Sequence, residues 1–173
     1  MTFNATYIPL EHLEVAGFVE YFPPKSASGL KRRVFVASNV ADLLDKDGAD
    51  PVMFNWVEAN RILSEFVLGR AVSVSFCSKR VELEKLEGID EVWVCCVRAP
   101  KPGWRLFGRF IAQDCLVLML AHDRHDLAPS PKYQAVAQHA IAEWNRVLPD
   151  VSPYSASKLS GYISGVVRNA DED

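Results

Sequence analysis

Three apolar runs decide the fold class: Val92-Trp93-Val94-Cys95-Cys96-Val97, Trp104-Arg105-Leu106-Phe107-Gly108-Arg109-Phe110 and Cys115-Leu116-Val117-Leu118-Met119-Leu120-Ala121. Side chains alternate across a strand. In the first run Val92, Val94 and Cys96 therefore face one way and Trp93, Cys95 and Val97 the other. Both sets are apolar, so this strand is expected to be covered on both faces. In the second run Trp104, Leu106, Gly108 and Phe110 share a face, while Arg105, Phe107 and Arg109 share its opposite. The connections, Arg98-Ala99-Pro100-Lys101-Pro102-Gly103 and Gln113-Asp114, are short and predict an antiparallel meander. The third run ends in charge, at His122-Asp123-Arg124-His125.

Ser130-Pro131 reads as a helix cap followed by a first-turn proline. Tyr133, Val136, Ala137, Ala140, Ile141, Trp144 and Leu148 then recur at helical spacing, and Pro149 ends the helix. Toward the amino terminus, Val15 to Phe22 and Val34 to Ala37 predict a hairpin around the polar turn Lys25–Gly29. Lys31-Arg32-Arg33 is expected at the solvated start of an edge strand, where charge blocks aggregation. Ser38 or Asn39 caps a short helix through Asp45, and Asp47–Pro51 reads as a linker. Pro51 to Leu68 has helical periodicity and stops at Gly69. Val72 to Phe76 is expected as a strand or buried connection, Ser78 to Leu86 as a helix or turn. Leu159, Tyr162, Ile163 and Val166 would anchor a last short helix before the acidic tail Asn169–Asp173. The organisation expected is an amino-terminal extension with a hairpin (1–50), a core domain (51–148) and a carboxy-terminal helix and tail (149–173).

The chain has 173 residues, 24% of them charged, and a formal net charge of -3. A general attraction to nucleic acid is thereby excluded, so any phosphate site must come from uneven charge. Arg70 to Lys132 is the one net-positive block, with ten Lys or Arg against eight Asp or Glu. Cys77, Cys95, Cys96 and Cys115 lack metal-ligand spacing and read as reduced core residues. His122 and His125 have no third ligand nearby, and Asp47–Pro51 lacks the terminal glutamate of a calcium loop. Neither metal nor cofactor is expected. No run approaches the ~18 apolar residues of a membrane span, and no basic leader precedes an apolar core, so a cytoplasmic protein is expected.

The order Leu86-Glu87-Gly88, Val92-Trp93-Val94, Val97-Arg98, Gly103-Trp104-Arg105-Leu106-Phe107 resembles the RelE/ParE superfamily of bacterial toxin–antitoxin toxins. Leu116 to Leu120, His122 to His125, Ser130-Pro131-Lys132 and the helix bearing Ala137, Ala140 and Trp144 continue the likeness, which covers Pro51 to Leu148. It implies an α+β fold with an antiparallel sheet of about four strands, packed against amino-terminal helices drawn from Pro51 to Leu86 and a carboxy-terminal helix. The implied activity is ribosome-associated cleavage of mRNA, held in check by an antitoxin protein. A ParE-like inhibitor of DNA gyrase is the alternative, and a noncatalytic protein-binding module is the third reading. By this likeness Arg105 matches the arginine of an aromatic–Arg strand start, and Arg124 and His125 match a basic pair after the last central strand. Arg105, Arg124 and His125 are therefore the expected catalytic set; Arg98, Lys101, Arg109 and Tyr133 are expected to bind RNA. The chemistry agrees: a histidine can serve as base or acid near neutrality, and guanidinium groups grip phosphate through paired hydrogen bonds. Arg109 shares its strand face with Arg105, roughly 13 Å away. One connected positive groove holding Arg98, Arg105, Arg124 and His125 is the geometry this requires.

Overall fold

A computed structural model describes residues 10–24, 28–45, 54–77, 80–128, 130–165 and 167–171. The three apolar runs form the strands β5 (Trp93–Val97), β6 (Trp104–Ala112) and β7 (Cys115–Asp123), joined as an antiparallel meander. Before them come α1 (Glu11–Val15), β1 (Phe18–Glu20), β2 (Arg33–Ala37), α2 (Ser38–Leu44), α3 (Trp56–Val67), β3 (Ser73–Ser75) and β4 (Leu83–Lys85). After them come α4 (Ser130–Val147), α5 (Leu159–Tyr162) and β8 (Arg168–Asn169). The α+β class holds, but among the described residues the sheet has eight strands, in the order β1-β2-β7-β6-β5-β4-β3-β8, rather than about four.

The sheet is also mixed rather than antiparallel. β2 runs parallel to β7, and β3 is parallel to both β4 and β8. The pairings of β2 with β7 and of β3 with β8 join segments far apart in the chain, which alternation within a strand cannot reveal. The hairpin expected near the amino terminus is present as β1 and β2, and it extends the sheet beyond β7. Residues from both expected extensions thus share one sheet with the central strands.

Two local expectations fail for physical reasons. The spacing of Ser78 to Leu86 predicts helix or turn, yet Leu83–Lys85 is a strand, pairing antiparallel with β5. Cross-strand hydrogen bonding overrides the weak helical spacing there. β2 is an inner strand rather than an edge, and Arg32 at its start is 2% exposed. Its guanidinium donates to the carbonyls of Phe66, Arg70 and Ser164, at 3.2, 3.2 and 2.7 Å, and lies 3.6 Å from Asp114. A cation at the carboxyl end of α3 also complements that helix's dipole.

The sheet separates two cores. On one face Val34, Val36, Trp93, Cys95, Leu106, Phe110 and Leu118 pack under α3 and the segment carrying Tyr162. On the other, Phe35, Val94, Cys96, Phe107, Val117 and Met119 pack under α4, through Ala137, Ala140 and Trp144. Residues of β5 thus divide between faces as alternation predicts. α3 begins where the Asn55 side chain accepts from the Glu58 amide, a standard N-cap. A Cβ at Gly108 would run into the Val117 carbonyl, and the β6–β7 register shifts there. The linker Asp47–Pro51, Lys25 to Ala27 of the first turn, Ser78 and Val166 lie outside the described residues.

Candidate anion-binding groove

The meander brings separated arginines to one end of the sheet. Because β6 is antiparallel to both neighbours, the end of β5, the start of β6 and the end of β7 lie side by side. Val97 pairs with Trp104, Trp104 with Asp123, and Arg105 with His122. Arg98 follows β5, Arg105 is the second residue of β6, and Arg124 follows β7. The Arg124 amide donates to the Gly103 carbonyl at 2.8 Å and ties the two connections together. Two adjoining cavities, of about 350 and 590 Å³, share Arg98, Arg105 and Arg124 as walls. Arg80, Lys101 and Pro102 extend the larger one; Glu84, Glu87, Tyr133 and Gln134 are among the residues closing the smaller.

Each guanidinium is oriented by contacts that, among the described residues, leave donors unused. Arg98 donates to the Val81 carbonyl through Nε and Nη2, at 3.2 and 2.8 Å. Arg105, 7% exposed, donates through Nη1 to the Trp104 carbonyl at 2.9 Å. Arg124 lies over the Tyr133 ring at 5.5 Å from its centroid, a cation–π contact. The Tyr133 hydroxyl donates to Glu84 Oε1 at 3.1 Å. Burial, and then the Glu84 charge, push the Tyr133 phenol well above its ordinary range, so it stays protonated and donates.

The pairing of arginines separates this groove from the rest of the molecule. Arg32, Arg33, Arg61, Arg70, Arg109, Arg146 and Arg168 each lie within 4.0 Å of a carboxylate oxygen. Among the described residues, Arg80, Arg98, Arg105 and Arg124 have no such partner, and all four line the paired cavities. An arginine buried as deeply as Arg105 ordinarily carries a counter-charge. Here Glu84, a carboxylate that shares its cavity, stands outside ion-pair distance.

Of the expected residues, Arg98, Lys101, Arg105, Arg124 and Tyr133 come together in the groove. His125 does not: it is exposed, lines neither cavity, and its Nδ1 faces Asp126 at 3.8 Å. Arg109 lies beneath α4, 1% exposed. Its Nη2 donates to the Asp90 carbonyl and carboxylate, both at 2.8 Å, and its guanidinium stands 5.6 Å from the Trp144 ring. The histidine beside the groove arginines is His122, cross-strand from Arg105 and edge-on to Phe107 at 6.2 Å. Burial, and then His139, lower its pKa and favour the neutral ring.

Arg80 and Glu84 escaped the sequence reading. Alternation in Val81-Glu82-Leu83-Glu84 was the available signal, since a strand there sets Glu84 opposite Leu83. Burial holds the thiols of Cys96 and Cys115 up near 12, and Cys95 higher still, so all three stay protonated. Among the described residues no group of three His, Cys, Asp or Glu is placed to hold a metal ion. No described helix is long and apolar enough to cross a membrane. Compared with known proteins, the chain matches no family model, no curated protein and no solved structure.

Proposed function

We propose that the groove binds the sugar–phosphate backbone of RNA and that the chain is a RelE/ParE-like toxin that cuts it, with an antitoxin protein as its partner. The observation that carries this reading is the convergence, on one groove, of the four arginines that lack carboxylate partners among the described residues. A phosphodiester supplies the missing negative charge and the paired acceptor oxygens that guanidinium groups fit. The resemblance of Pro51 to Leu148 to that superfamily supports the same assignment.

The groove contains a base and an acid for cleavage as well as cations. Glu84 is 8% exposed, lines the smaller cavity, and uses Oε1 to accept from Tyr133. In the reaction proposed, the ribose 2′-hydroxyl gives its proton to Glu84 and its oxygen attacks the adjacent phosphorus. The bond from phosphorus to the 5′-oxygen breaks, and Tyr133 supplies the proton that the leaving oxygen takes up. Arg105 and Arg124 balance the charge that builds on the phosphoryl oxygens. The products are a 2′,3′-cyclic phosphate and a free 5′-hydroxyl. His125, expected from the sequence in the catalytic set, has no part in this scheme.

Controlled expression with RNA-end mapping tests it. New 5′-hydroxyl ends are expected with the wild-type chain and their loss with Arg105→Ala and Glu84→Gln, while His125→Ala still cleaves. Growth arrest without new ends, accompanied by gyrase inhibition, would replace this reading with the ParE-like one.

A further inference from the structure

The groove has two chemically different ends. The larger cavity is walled by Arg80, Lys101 and Pro102 together with the shared arginines, and it favours phosphate. The smaller continues past those arginines to Leu86, Glu87, Ile89 and Gln134. That end offers a carboxylate, a primary amide and two aliphatic side chains, a lining that repels phosphate and suits an uncharged planar ring bearing hydrogen-bond donors.

The geometry points to this end as a nucleobase subsite selective for guanine, with Glu87 as the residue that reads it. The inference rests on the proposed binding of RNA and names the base. Guanine is the one standard base whose pairing edge presents two adjacent donors, a ring N–H and an exocyclic amino group, beside a carbonyl oxygen. A carboxylate accepts from both donors at once, as it does from the two N–H groups of a guanidinium. Gln134 carries an amide that can donate to the neighbouring carbonyl. Uracil and cytosine each present a single donor site there, and adenine's donor is flanked by an acceptor.

Glu87 is free for this role and stands on a braced turn. It is exposed, and among the described residues it has no ion pair or side-chain hydrogen bond. The turn holding it is fixed at its base, where the Leu86 amide donates to the Val92 carbonyl at 2.9 Å. Farther round, Arg109 clamps Asp90, and Lys85 reaches Glu91 at 2.9 Å. Gly88, at φ +72°, supplies the left-handed turn that lets the chain reverse. A recognition side chain on a fixed backbone loses less freedom when it binds.

The test is fluorescence anisotropy with short oligouridine RNA, with and without one guanine, using 2′-fluoro sugars so that neither is cut. Wild-type protein is expected to bind the guanine-bearing strand about tenfold more tightly, the scale of one bidentate base contact. Inosine, which lacks the exocyclic amino group, should fall between the two. Glu87→Gln, whose amide sets N–H groups against guanine's own donors, should bring the ratio close to one. Equal affinity of the wild type for both strands, with oligouridine binding intact, would overturn guanine selection and leave the RNA groove standing. Failure to bind either strand would overturn the groove's RNA reading and this inference with it.

Discussion

The Tyr133 hydroxyl rests 3.1 Å from Glu84 Oε1 and joins α4 to β4 across the floor of the arginine groove. The same ring carries Arg124 on its face. One tyrosine therefore positions a carboxylate through its hydroxyl and a cation through its π-system. The groove consequently depends on how α4 docks against the sheet, and its shape and the stability of that contact are linked.

Tyr133→Phe keeps the ring and its cation–π contact and removes only the donor to a buried carboxylate. Loss of a hydrogen bond to a charged group costs about 1.5–3 kcal/mol. Urea denaturation should show a lower midpoint with an unchanged slope. RNA cleavage should fall more steeply than RNA binding, because Arg124 remains stacked. Equal loss of both would give the hydroxyl a purely structural role.

The charge argument predicts a split between arginines and histidine. Arg98→Ala with Arg124→Ala removes two of the proposed phosphate contacts, and each contact to a single strand contributes about 0.7 to the slope of log affinity against log salt. The double variant should bind more weakly at low salt and lose about 1.4 from that slope. His125→Ala, a change at an exposed residue outside both cavities, should leave slope and affinity near wild type. Anisotropy over a sodium chloride series measures both. An unchanged slope in the double variant would mean that phosphate is held elsewhere.

Local patterns carried much of this structure. Alternation divided β5 and β6 between the two cores, and helical spacing located α3 and α4, because each element lists its buried face in its own residues. The meander followed from short connections, and it alone placed Arg98, Arg105 and Arg124 at one end of the sheet. What local pattern could not convey was long-range pairing. Nothing in Val34-Phe35-Val36 announces that it lies parallel to Leu116-Val117-Leu118, so Arg32 read as solvated when it is buried. A three-residue strand such as β4 is too short to outweigh a competing helical spacing, and Glu84 was hidden with it. Arg109 was placed on the correct face, but α4 covers that face and screens it from solvent.

Arg109→Met tests that screening. The methionine stem would replace the buried guanidinium against Trp144, and Asp90, whose side chain is 74% exposed, would be left in water. Removing a buried ion while keeping apolar volume is often close to neutral for stability. The variant should fold and keep its RNA affinity and salt slope. A drop in slope comparable to that of a groove arginine would show that Arg109 reaches phosphate.

On the opposite face, Glu91 predicts how stability follows pH. Its backbone is left-handed, at φ +50°, and its carboxylate is buried. It accepts from Lys85 at 2.9 Å, Ser155 at 2.9 Å and Tyr162 at 2.6 Å. Burial raises its pKa, but the hydrogen bonds from Tyr162, Lys85 and Ser155 outweigh that and hold it below the ordinary 4.5. A carboxyl whose folded pKa is depressed contributes stability that is present above its unfolded value and lost as pH falls through the folded one. For Lys85 burial acts downward, but its bonds to Tyr162 and Glu91 prevail and raise it above 10.5. Its contribution is therefore full below that value and fades as pH rises through the folded pKa. Urea midpoints should be flat near neutrality with respect to this pair and fall on the acid side below 4.5. Glu91→Gln should lower the neutral plateau and make the acid limb shallower, since the group that titrates is gone. An acid limb of undiminished steepness in that variant would assign the proton uptake to other carboxylates and leave Glu91 without this role.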